Sequence, residues 1–284
     1  MRNALTFDVE DYFHVETFRE IVAAEDWERF APRVVDNTRR ILDLLDARGA
    51  RATFFVLGWV AERWPALVRD IQARGHELGC HSHRHRMVTR MDVPSFREDV
   101  RRAKASIEDA AGVAVEGFRA PTFSIVRSTW WALGVLAEEG FVYDSSVFPI
   151  RHDRYGIPDA PRFPHRVPLE GGGSIVEFPM TTVAMAGQHL PFSGGGYFRL
   201  LPYGLIRAGV RQVNRRDGMP AMVYLHPWEF DPAQPRLPVR GLNRFRQYVN
   251  LATTRPKLER LLEHFAFAPA RDVLAERGLL PVAA

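Results

Sequence analysis

The chain has 284 residues, of which 46% are hydrophobic and 25% are charged. This composition is typical of a globular protein with a large core and excludes a disordered linker or a bundle of membrane spans. The formal charge of +4 comes almost entirely from arginine, and the arginines are scattered along the chain. We therefore expect no nucleic-acid partner, because no nucleic-acid-binding motif accompanies them.

The single cysteine and the amino terminus bear on the cellular compartment. Cys80 cannot form an intramolecular disulfide. A small buried thiol is its simplest interpretation, although it adjoins His81 and metal ligation stays open. No charged segment followed by an apolar one precedes Thr6, and no run approaches about 18 apolar residues. We expect a cytoplasmic location and no transmembrane segment, and the oligomeric state is left open.

Short apolar runs alternate with amphipathic segments along the first half of the chain. Strands separated by helices of this length form parallel β-α units with right-handed crossovers. The predicted fold is α/β, either a barrel or an open doubly wound sheet, with active residues at the carboxyl ends of the strands. The pattern predicts strands over 4–7, 52–58, 76–80, 115–121 and 141–146 and helices over 36–49, 61–75, 93–112 and 128–140.

The second half of the chain is less regular. Residues 147–202 are rich in proline and glycine and predict loops over the mouth of a barrel, with one strand over 174–180. Past Pro238, apolar and basic residues recur at helical spacing and predict a helical carboxyl-terminal extension.

Three carboxylates follow the first predicted strand, in the segment TFDVED. Side chains alternate along a strand, so Asp8 and Glu10 are expected on one face and Asp11 on another. Two carboxylates that close do not both stay ionised without a cation. A solvated loop or a helix cap would also place acids here, so the segment alone leaves these interpretations open.

Three histidines lie within five residues in the segment GCHSHRHR. On a helical turn His81 and His85 would share one side and reach one ion, whereas in an extended segment His83 would join them. Packing does not readily explain three of the ten histidines in so short a segment. Two imidazoles and one carboxylate form a common catalytic zinc set, so these residues predict a metal site.

Three further motifs end predicted strands. GFRAP places Arg119 where it could pair with an acid, although a surface arginine fits equally well. YDSS places Asp144 at the end of its own strand, and MVYLHPWEF places His226 there. An acidic partner would raise the pKa of His226 and suit it to general acid catalysis. Because all five motifs are expected at one rim, their joint occurrence predicts an active site.

The motifs Asp-x-Glu-Asp, His-Ser-x-x-His, Arg-Ala-Pro, Asp-Ser-Ser and Leu-His-Pro occur in the order seen in a known family. The chain resembles the NodB-homology polysaccharide deacetylases, carbohydrate esterase family four. The resemblance covers residues 4–230, and residues 231–284 would form an extension packed on the barrel. It implies a distorted (β/α) barrel of about seven parallel strands. The segments RFRQYVNL, KLERLL and GGGYFRLLPY are similar to the branch encoded beside exosortase and exopolysaccharide loci.

The resemblance implies catalytic roles for five residues. Asp8 would be the general base and Arg119 would orient it. A backbone N–H near Thr122 would bind the oxyanion. His226 would be the general acid, and Asp144 would tune it.

The resemblance also implies a divalent cation, Zn²⁺ in most members and Co²⁺ or another ion in some. His81 and His85 match its two histidine ligands. The family's usual motif has adjacent aspartates, whereas Val9 follows Asp8 here. This departure makes Glu10 the expected third ligand and Asp11 the alternative.

The implied activity is hydrolysis of N-acetyl groups on the amino sugars of a polysaccharide, with release of acetate. An exopolysaccharide or its lipid-linked precursor is the expected substrate, and the latter would place the protein near a membrane. An amidase of a small ureide-like molecule, or an inactive glycan-binding barrel, are the alternatives. The sequence does not identify the sugar or its linkage.

Overall fold

The computed structural model describes residues 1–282, in which helices and strands alternate along the chain. The strands are β1 (Arg2–Val9), β2 (Thr53–Val56), β3 (Glu77–Cys80), β4 (Gly117–Phe118), β5 (Tyr143–Asp144), β6 (His165–Pro168), β7 (Ser174–Glu177), β8 (Thr182–Met185), β9 (Gln188–Pro191), β10 (Met222–Leu225) and β11 (Ala266–Ala268). The helices are α1 (Val34–Ala47), α2 (Gly58–Arg63), α3 (Pro65–Ala73), α4 (Val93–Ala111), α5 (Ala132–Glu138), α6 (Gly195–Leu200), α7 (Tyr203–Arg215), α8 (Gly241–Tyr248), α9 (Thr254–His264) and α10 (Ala270–Glu276).

Seven parallel strands form the body of one sheet, in the order β10-β1-β2-β3-β4-β5-β7. β6 pairs antiparallel with β7 at one edge, and β11 pairs with the first residues of β1. Helices cover the sheet, so β2 is wholly buried and reads as the apolar run TFFV rather than as an alternating pattern. The predicted α/β fold with about seven parallel strands is confirmed.

The carboxyl ends of the parallel strands meet at one edge of the sheet. β1 ends just before Glu10, β3 just before His81, β4 just before Arg119 and β10 just before His226. Because these strands are paired in parallel register, the residues that follow them lie side by side. The topology therefore brings together side chains that are up to 218 residues apart.

Two predictions of secondary structure were wrong in detail. The helix over 61–75 is two helices, α2 and α3, because Pro65 disfavours a helical conformation at Trp64 and begins a new helix. Residues 147–202 hold β6 to β9 and α6 rather than loops with one strand. The β8–β9 hairpin turns at Ala186 and Gly187, both with positive φ, without the Asn-Gly pair that makes such turns recognisable in sequence.

The carboxyl-terminal segment is partly built into the sheet. α8, α9 and α10 are helical as the sequence predicts in general terms, and β11 adds a strand beside β1 that the sequence analysis did not predict. The predicted boundary between residues 230 and 231 stays a prediction. Among residues 1–282, no helix combines the length and the apolar character that a membrane crossing requires.

Candidate active site

Asp8 is held by a buried arginine. It lies near the end of β1 and is 2% exposed, and Arg119, after β4, is fully buried. Nη1 of Arg119 donates to Oδ1 of Asp8 at 2.7 Å and to Oγ1 of Thr6 at 2.8 Å, and its guanidinium lies over the ring of Phe55. This charge-assisted hydrogen bond fixes the carboxylate and leaves Oδ2 free of Arg119.

Glu10 is oriented by a tryptophan from the opposite end of the chain. Nε1 of Trp228 donates to Oε1 of Glu10 at 3.0 Å. The other oxygen, Oε2, lies 2.8 Å from Nε2 of His85. Glu10 is 2% exposed, so its two oxygens have distinct neighbours in a site that is almost closed to solvent.

His81 is fixed through its backbone-facing nitrogen. Nδ1 lies 2.8 Å from the carbonyl oxygen of Arg119. Because a carbonyl oxygen only accepts, Nδ1 carries the proton and Nε2 has a free lone pair. This is the orientation in which histidine ligands are usually held, with one nitrogen tied to the protein and the other turned to the ion.

His85 reaches the same place through an irregular loop. Its ring lies 5.2 Å from that of His81, centroid to centroid. The segment from His81 to His85 is neither a helical turn nor an extended strand, because Ser82 and His85 have φ values of 63° and 49°. The loop therefore has neither of the two conformations that the sequence suggested, although it brings His81 and His85 together. Left-handed backbone at non-glycine residues is costly and is concentrated at functional sites.

Glu10, His81 and His85 each offer one ligand atom, and these atoms all lie within 4.8 Å of one another. We call these three residues the Glu-His-His cluster. Oε2 of Glu10 faces Nε2 of His85 at 2.8 Å, and Nδ1 of His85 is buried without a hydrogen-bond partner among residues 1–282. Buried polar atoms without partners are rare. One carboxylate and two imidazoles are a set that binds zinc, so the residues present fit a divalent cation.

The protonation of Glu10 and His81 suits ligation, and His85 would have to lose its proton to bind a metal. Burial would raise the pKa of Glu10, but the charge and close contact of His85 outweigh burial and lower it, with further help from the other imidazoles. Burial lowers the pKa of His81 to about 4. Burial also acts to lower the pKa of His85, but the charge of Glu10 raises it above its usual value. An anionic Glu10 and a neutral His81 are the forms that bind metals.

Asp11, the alternative ligand, has a structural role instead. Its Oδ2 accepts the backbone N–H groups of Arg33 and Val34 at the start of α1, and Oδ1 accepts that of Tyr12. Burial raises the pKa of Asp11 to about 6 in spite of these hydrogen bonds. The geometry therefore groups Glu10, and not Asp11, with the two histidines, because Asp11 points to another face as the alternation of side chains predicts.

Two other candidates from the sequence lie outside the Glu-His-His cluster. The backbone N–H of His83 donates to Asp99 at 2.9 Å, and its Nε2 lies 3.8 Å from Glu62. Cys80 is buried in β3, where burial raises the pKa of its thiol well above the usual value. A buried, protonated thiol is the simple interpretation given above.

The acidic partner of His226 is not the one predicted. Nδ1 of His226 lies 3.1 Å from Oε2 of Glu229, which also accepts the backbone N–H of His226. Nε2 of His226 points to the site and lies 3.7 Å from both Oδ2 of Asp8 and Oε1 of Glu10. Burial lowers the pKa of His226, but Glu229 outweighs it, and with Glu10 and Asp8 raises that pKa to about 9.

Asp144 acts elsewhere, so the prediction that it tunes His226 is corrected. Oδ1 of Asp144 accepts the hydroxyl of Ser146 at 2.6 Å, and that hydroxyl oxygen accepts the backbone N–H of Ala120 at 2.7 Å. Asp144 thus supports the turn that follows Arg119. Thr122 lies in this turn with φ of 55°, an outlier for a β-branched residue. The sequence could not distinguish the two roles because both place an acid at a strand end.

Glu229 is itself clamped by a buried arginine. Nε of Arg199 donates to Oε1 of Glu229 at 2.7 Å, and its other nitrogens donate to the carbonyl oxygens of Arg246, Gln247 and Val249. Arg199 is 2% exposed. It therefore ties the end of α8 to the partner of His226.

Three residues of the site, Trp228, Glu229 and Arg199, were not predicted from the sequence. The signal for the first two was present, since both belong to HPWEF and follow His226 within three residues. Arg199 had no such signal, because its partners lie 30 to 50 residues away.

A cavity of about 370 Å³ opens at the carboxyl edge of the sheet. Asp8, the Glu-His-His cluster and His226 lie on its wall. Aromatic side chains form much of the rest, which is the composition of sites that bind the faces of sugar rings and other partly apolar ligands. These aromatic residues are Phe123, Tyr155, Tyr197, Tyr224, Trp228 and Phe245.

Comparison with known families divides the chain in two. Residues 4–137 match the model of the family described as polysaccharide deacetylase, and residues 145–275 match a domain of unknown function, DUF3473. The first match holds the Glu-His-His cluster, Asp8 and Arg119, and the second holds His226.

Curated relatives point to the same family. The chain is 34% identical over 89 residues to a bifunctional xylanase/deacetylase of Pseudobutyrivibrio xylanivorans, which covers 31% of this chain and 15% of that protein. It is 31% identical over 91 residues to a peptidoglycan-N-acetylglucosamine deacetylase of Bacillus cereus, covering 32% of this chain and 33% of that protein. The chain therefore spans a third or less of the length of these two relatives.

A solved structure shares the fold over nearly the whole chain. It is described as a putative polysaccharide deacetylase from Mycobacterium smegmatis, with a TM-score of 0.61 and 22% sequence identity. The alignment covers 99% of this chain and 92% of that one. The family model and the curated relatives together support the polysaccharide deacetylase family.

Proposed function

We propose that this chain, whose residues 4–137 match the polysaccharide deacetylase family, is a hydrolase that removes N-acetyl groups from the amino sugars of a glycan. The reaction consumes one water and yields acetate and a free amine. The observation that carries the proposal is the position of His226, whose Nε2 lies 3.7 Å from both Asp8 and Glu10. A base, an acid and the Glu-His-His cluster thus face one cavity.

Glu10, His81 and His85 would hold a divalent cation, for which Zn²⁺ suits the donor set. A cation bound there would supply polarisation of the acetamide carbonyl and of water. The family resemblance is the support for this metal dependence, together with the ligand atoms of Glu10, His81 and His85, which lie within 4.8 Å of one another.

Asp8 would accept the proton of the attacking water. Its Oδ1 is occupied by Arg119, so Oδ2, on the side of His226, is the oxygen available as the base. Arg119 prevents the carboxylate from rotating, which keeps Oδ2 aimed into the cavity.

His226 would donate the proton that the leaving amine needs. Glu229 accepts at Nδ1, so the proton transferred is the one on Nε2, which faces Asp8 and Glu10. The raised pKa, about 9, keeps the imidazole protonated at neutral pH. The backbone N–H of Thr122 would stabilise the negative oxygen of the tetrahedral intermediate.

The expected substrate is an exopolysaccharide or its lipid-linked precursor, which follows from the resemblance to the exosortase-associated branch. The aromatic wall of the cavity is compatible with sugar rings. The test is acetate release from a panel of N-acetylated glycans and small cyclic ureides, with and without a chelator. Release from the ureides alone would assign the site to a small-molecule amidase, and no release from any substrate by the metal-loaded protein would contradict the proposal.

Asp8→Asn is expected to retain the metal and to lose turnover by about 100-fold or more, since the amide cannot act as the base. Asp11→Asn is the matched control, because Asp11 caps α1 and lies outside the Glu-His-His cluster. It should lose stability by about 1–3 kcal/mol and keep its rate per folded molecule. A wild-type rate in Asp8→Asn would overturn the assignment of the base.

A further inference from the structure

The mouth of the cavity carries apolar side chains that are not covered by the rest of the described chain. Leu200 ends α6, and Leu242 and Phe245 lie three residues apart on α8, so the last two share one side of that helix. They are 47%, 59% and 50% exposed, respectively, and all three line the cavity. We call Leu200, Leu242 and Phe245 the apolar rim.

The segment that carries the apolar rim is strongly basic. From residue 232 to residue 258 the sequence contains six basic residues and no Asp or Glu. Four of them, Arg236, Arg240, Arg244 and Arg246, are exposed. None of these four guanidinium groups forms an ion pair with a carboxylate among residues 1–282, whereas Arg236 and Arg244 lie over the ring of Tyr248.

A facing loop adds to this charge. Nη2 of Arg154 donates to the side chain of Asn243 on α8 at 3.2 Å, and Arg151 is exposed in the same loop. Between residues 150 and 156 this loop contains one carboxylate, Asp153, which lies beside His152. Positive charge therefore predominates around the apolar rim.

We propose that the apolar rim and its arginines dock on an anionic lipid bilayer. Apolar side chains next to a cluster of at least four arginines are the combination that binds the interface of an acidic membrane, where the apolar groups enter the headgroup region and the cations attract the lipid phosphates. Docking by this surface turns the mouth of the cavity toward the bilayer. The protein then acts on glycans held at a membrane.

Two other occupants fit the surface less well. A second copy of the chain needs about 800 Å² per partner for a stable interface, and three half-exposed side chains on two short helices, α6 and α8, supply far less. An anionic polysaccharide would pair with the arginines, but sugar faces pack on flat aromatic rings, and two of the three residues of the apolar rim, Leu200 and Leu242, are aliphatic. The apolar rim therefore favours lipid over either alternative.

The test is co-sedimentation of the full chain with vesicles of phosphatidylcholine alone or with phosphatidylglycerol added. The wild-type protein should partition at least about 10-fold more strongly to the anionic vesicles, and salt should weaken that binding. Equal partition to both kinds of vesicle, or no binding to either, would overturn the proposal. The assay needs no catalysis, so its outcome is independent of the proposed deacetylation.

Variants separate the apolar and the charged parts. Leu242→Ser with Phe245→Ser, and separately Arg240→Ala with Arg244→Ala, should each reduce binding to the anionic vesicles about 10-fold or more. The matched control is Val113→Ser with Val142→Ser, which removes two exposed apolar residues, 39% and 36% exposed, at the other end of the sheet. This control should bind as the wild type does.

Three further results would contradict the proposal. One is unchanged vesicle binding in the Leu242/Phe245 variant. Another is a soluble anionic polysaccharide, polygalacturonate, that binds the wild type while vesicles do not. The third is a wild-type dimer in sedimentation analysis that the Leu242/Phe245 variant fails to form. Circular dichroism on every variant confirms that lost binding does not reflect unfolding.

Discussion

A partly or wholly buried glutamate lies at each end of the sheet, and the contacts of the two carboxylates differ. At the amino end, Glu77 begins β3, and its carboxylate accepts hydrogen bonds from the hydroxyls of Thr53 and Tyr143 and from the backbone N–H of Arg271. At the carboxyl end, Glu10 follows β1, and its Oε2 faces Nε2 of His85 at 2.8 Å, which is another atom able to ligate a cation. The glutamate at one end is satisfied by hydrogen-bond donors of the fold, and the glutamate at the other end lies among potential metal ligands.

This difference indicates which end is built for stability and which for chemistry. Ligand atoms that face one another are completed by a cation rather than by the fold, whereas the hydrogen bonds that satisfy a buried carboxylate stabilise the fold, since losing one costs about 1–3 kcal/mol. Substitutions in the Glu-His-His cluster should therefore remove activity with little loss of stability. Substitutions at the amino end should do the reverse.

The sharpest test is the pair His81→Ala and His83→Ala. His81→Ala should lose both the retained metal and activity, by about 1000-fold or more, because a ligand is gone. His83→Ala, two residues away, should keep metal and rate per folded molecule and lose stability, since His83 is buried beside Glu62 and Asp99. The measurements are metal content after dialysis, acetate release and the midpoint of thermal unfolding.

Loss of metal from His83→Ala with retention of metal in His81→Ala would contradict this prediction. It would show that other residues bind the ion. Loss of folding in both variants would be visible in the unfolding midpoint and would remove activity as a readout, in which case His81→Gln and His83→Gln repeat the comparison with smaller changes in volume.

A second, smaller effect concerns pH. His226 must be protonated to act as the acid, so wild-type activity is present below its pKa and is lost as the pH rises through about 9. In Glu229→Gln the negative charge that raises this pKa is gone. The alkaline limb of kcat/KM should therefore move down by about one pH unit, with about a 2-fold loss of rate at pH 8 that grows to about 10-fold at pH 10.

The control for that pH effect is Glu62→Gln, which removes the acid next to His83 instead. Glu62→Gln should leave the alkaline limb of kcat/KM at the same pH as in the wild type. If Glu229 had only a structural role, through Arg199, Glu229→Gln would lower kcat without shifting the alkaline limb of kcat/KM. An unshifted alkaline limb in this variant would therefore contradict the role of Glu229 as the positioning residue of His226.

The smallest effect is on stability at the amino end. His76 is 5% exposed, its Nδ1 accepts the backbone N–H of Ala52, and burial lowers its pKa to about 4. The unfolded chain therefore takes up this proton near pH 6.5 while the folded one does not, so the stability contributed by His76 is complete above pH 6.5 and is lost as the pH falls toward 4. The loss amounts to about 1.4 kcal/mol per pH unit, and up to about 3 kcal/mol in all.

The measurement is urea unfolding of the wild type and His76→Gln at pH 7, 6 and 5. Glutamine can accept the same hydrogen bond but does not titrate, so the stability advantage of the wild type at pH 7 should shrink at pH 5. Acetate release per folded molecule should be equal in the two proteins. Parallel pH dependence of their stabilities would show that the proton uptake occurs elsewhere.

The sequence predicted the fold class and most of the candidate residues for one reason. Parallel strands place whatever follows them at a common edge, so polar residues directly after apolar runs, such as Glu10, His81, Arg119 and His226, are expected to meet. The alternation of strands and helices is enough to predict that these residues meet, and the conformation of the loops is not required.

The same argument is weak where strands are short, half-exposed and interrupted by proline or glycine. Residues 147–202 contain β6 to β9, with side chains that are partly exposed. Their apolar residues do not alternate clearly, so loops were predicted. Burial by distant parts of the chain, rather than local preference, decides such strands.

By itself, the sequence determined that the protein is α/β and that acids, histidines and an arginine crowd one edge of its sheet. It also favoured Glu10 over Asp11, but only the tertiary structure decided which of the others lie together: His85 rather than His83 beside His81, and Glu229 rather than Asp144 beside His226. Each choice depends on left-handed backbone at Ser82 and His85 or on contacts such as that between Trp228 and Glu10, 218 residues apart. Spacing along the chain does not encode such contacts, because they arise only when the strands have assembled.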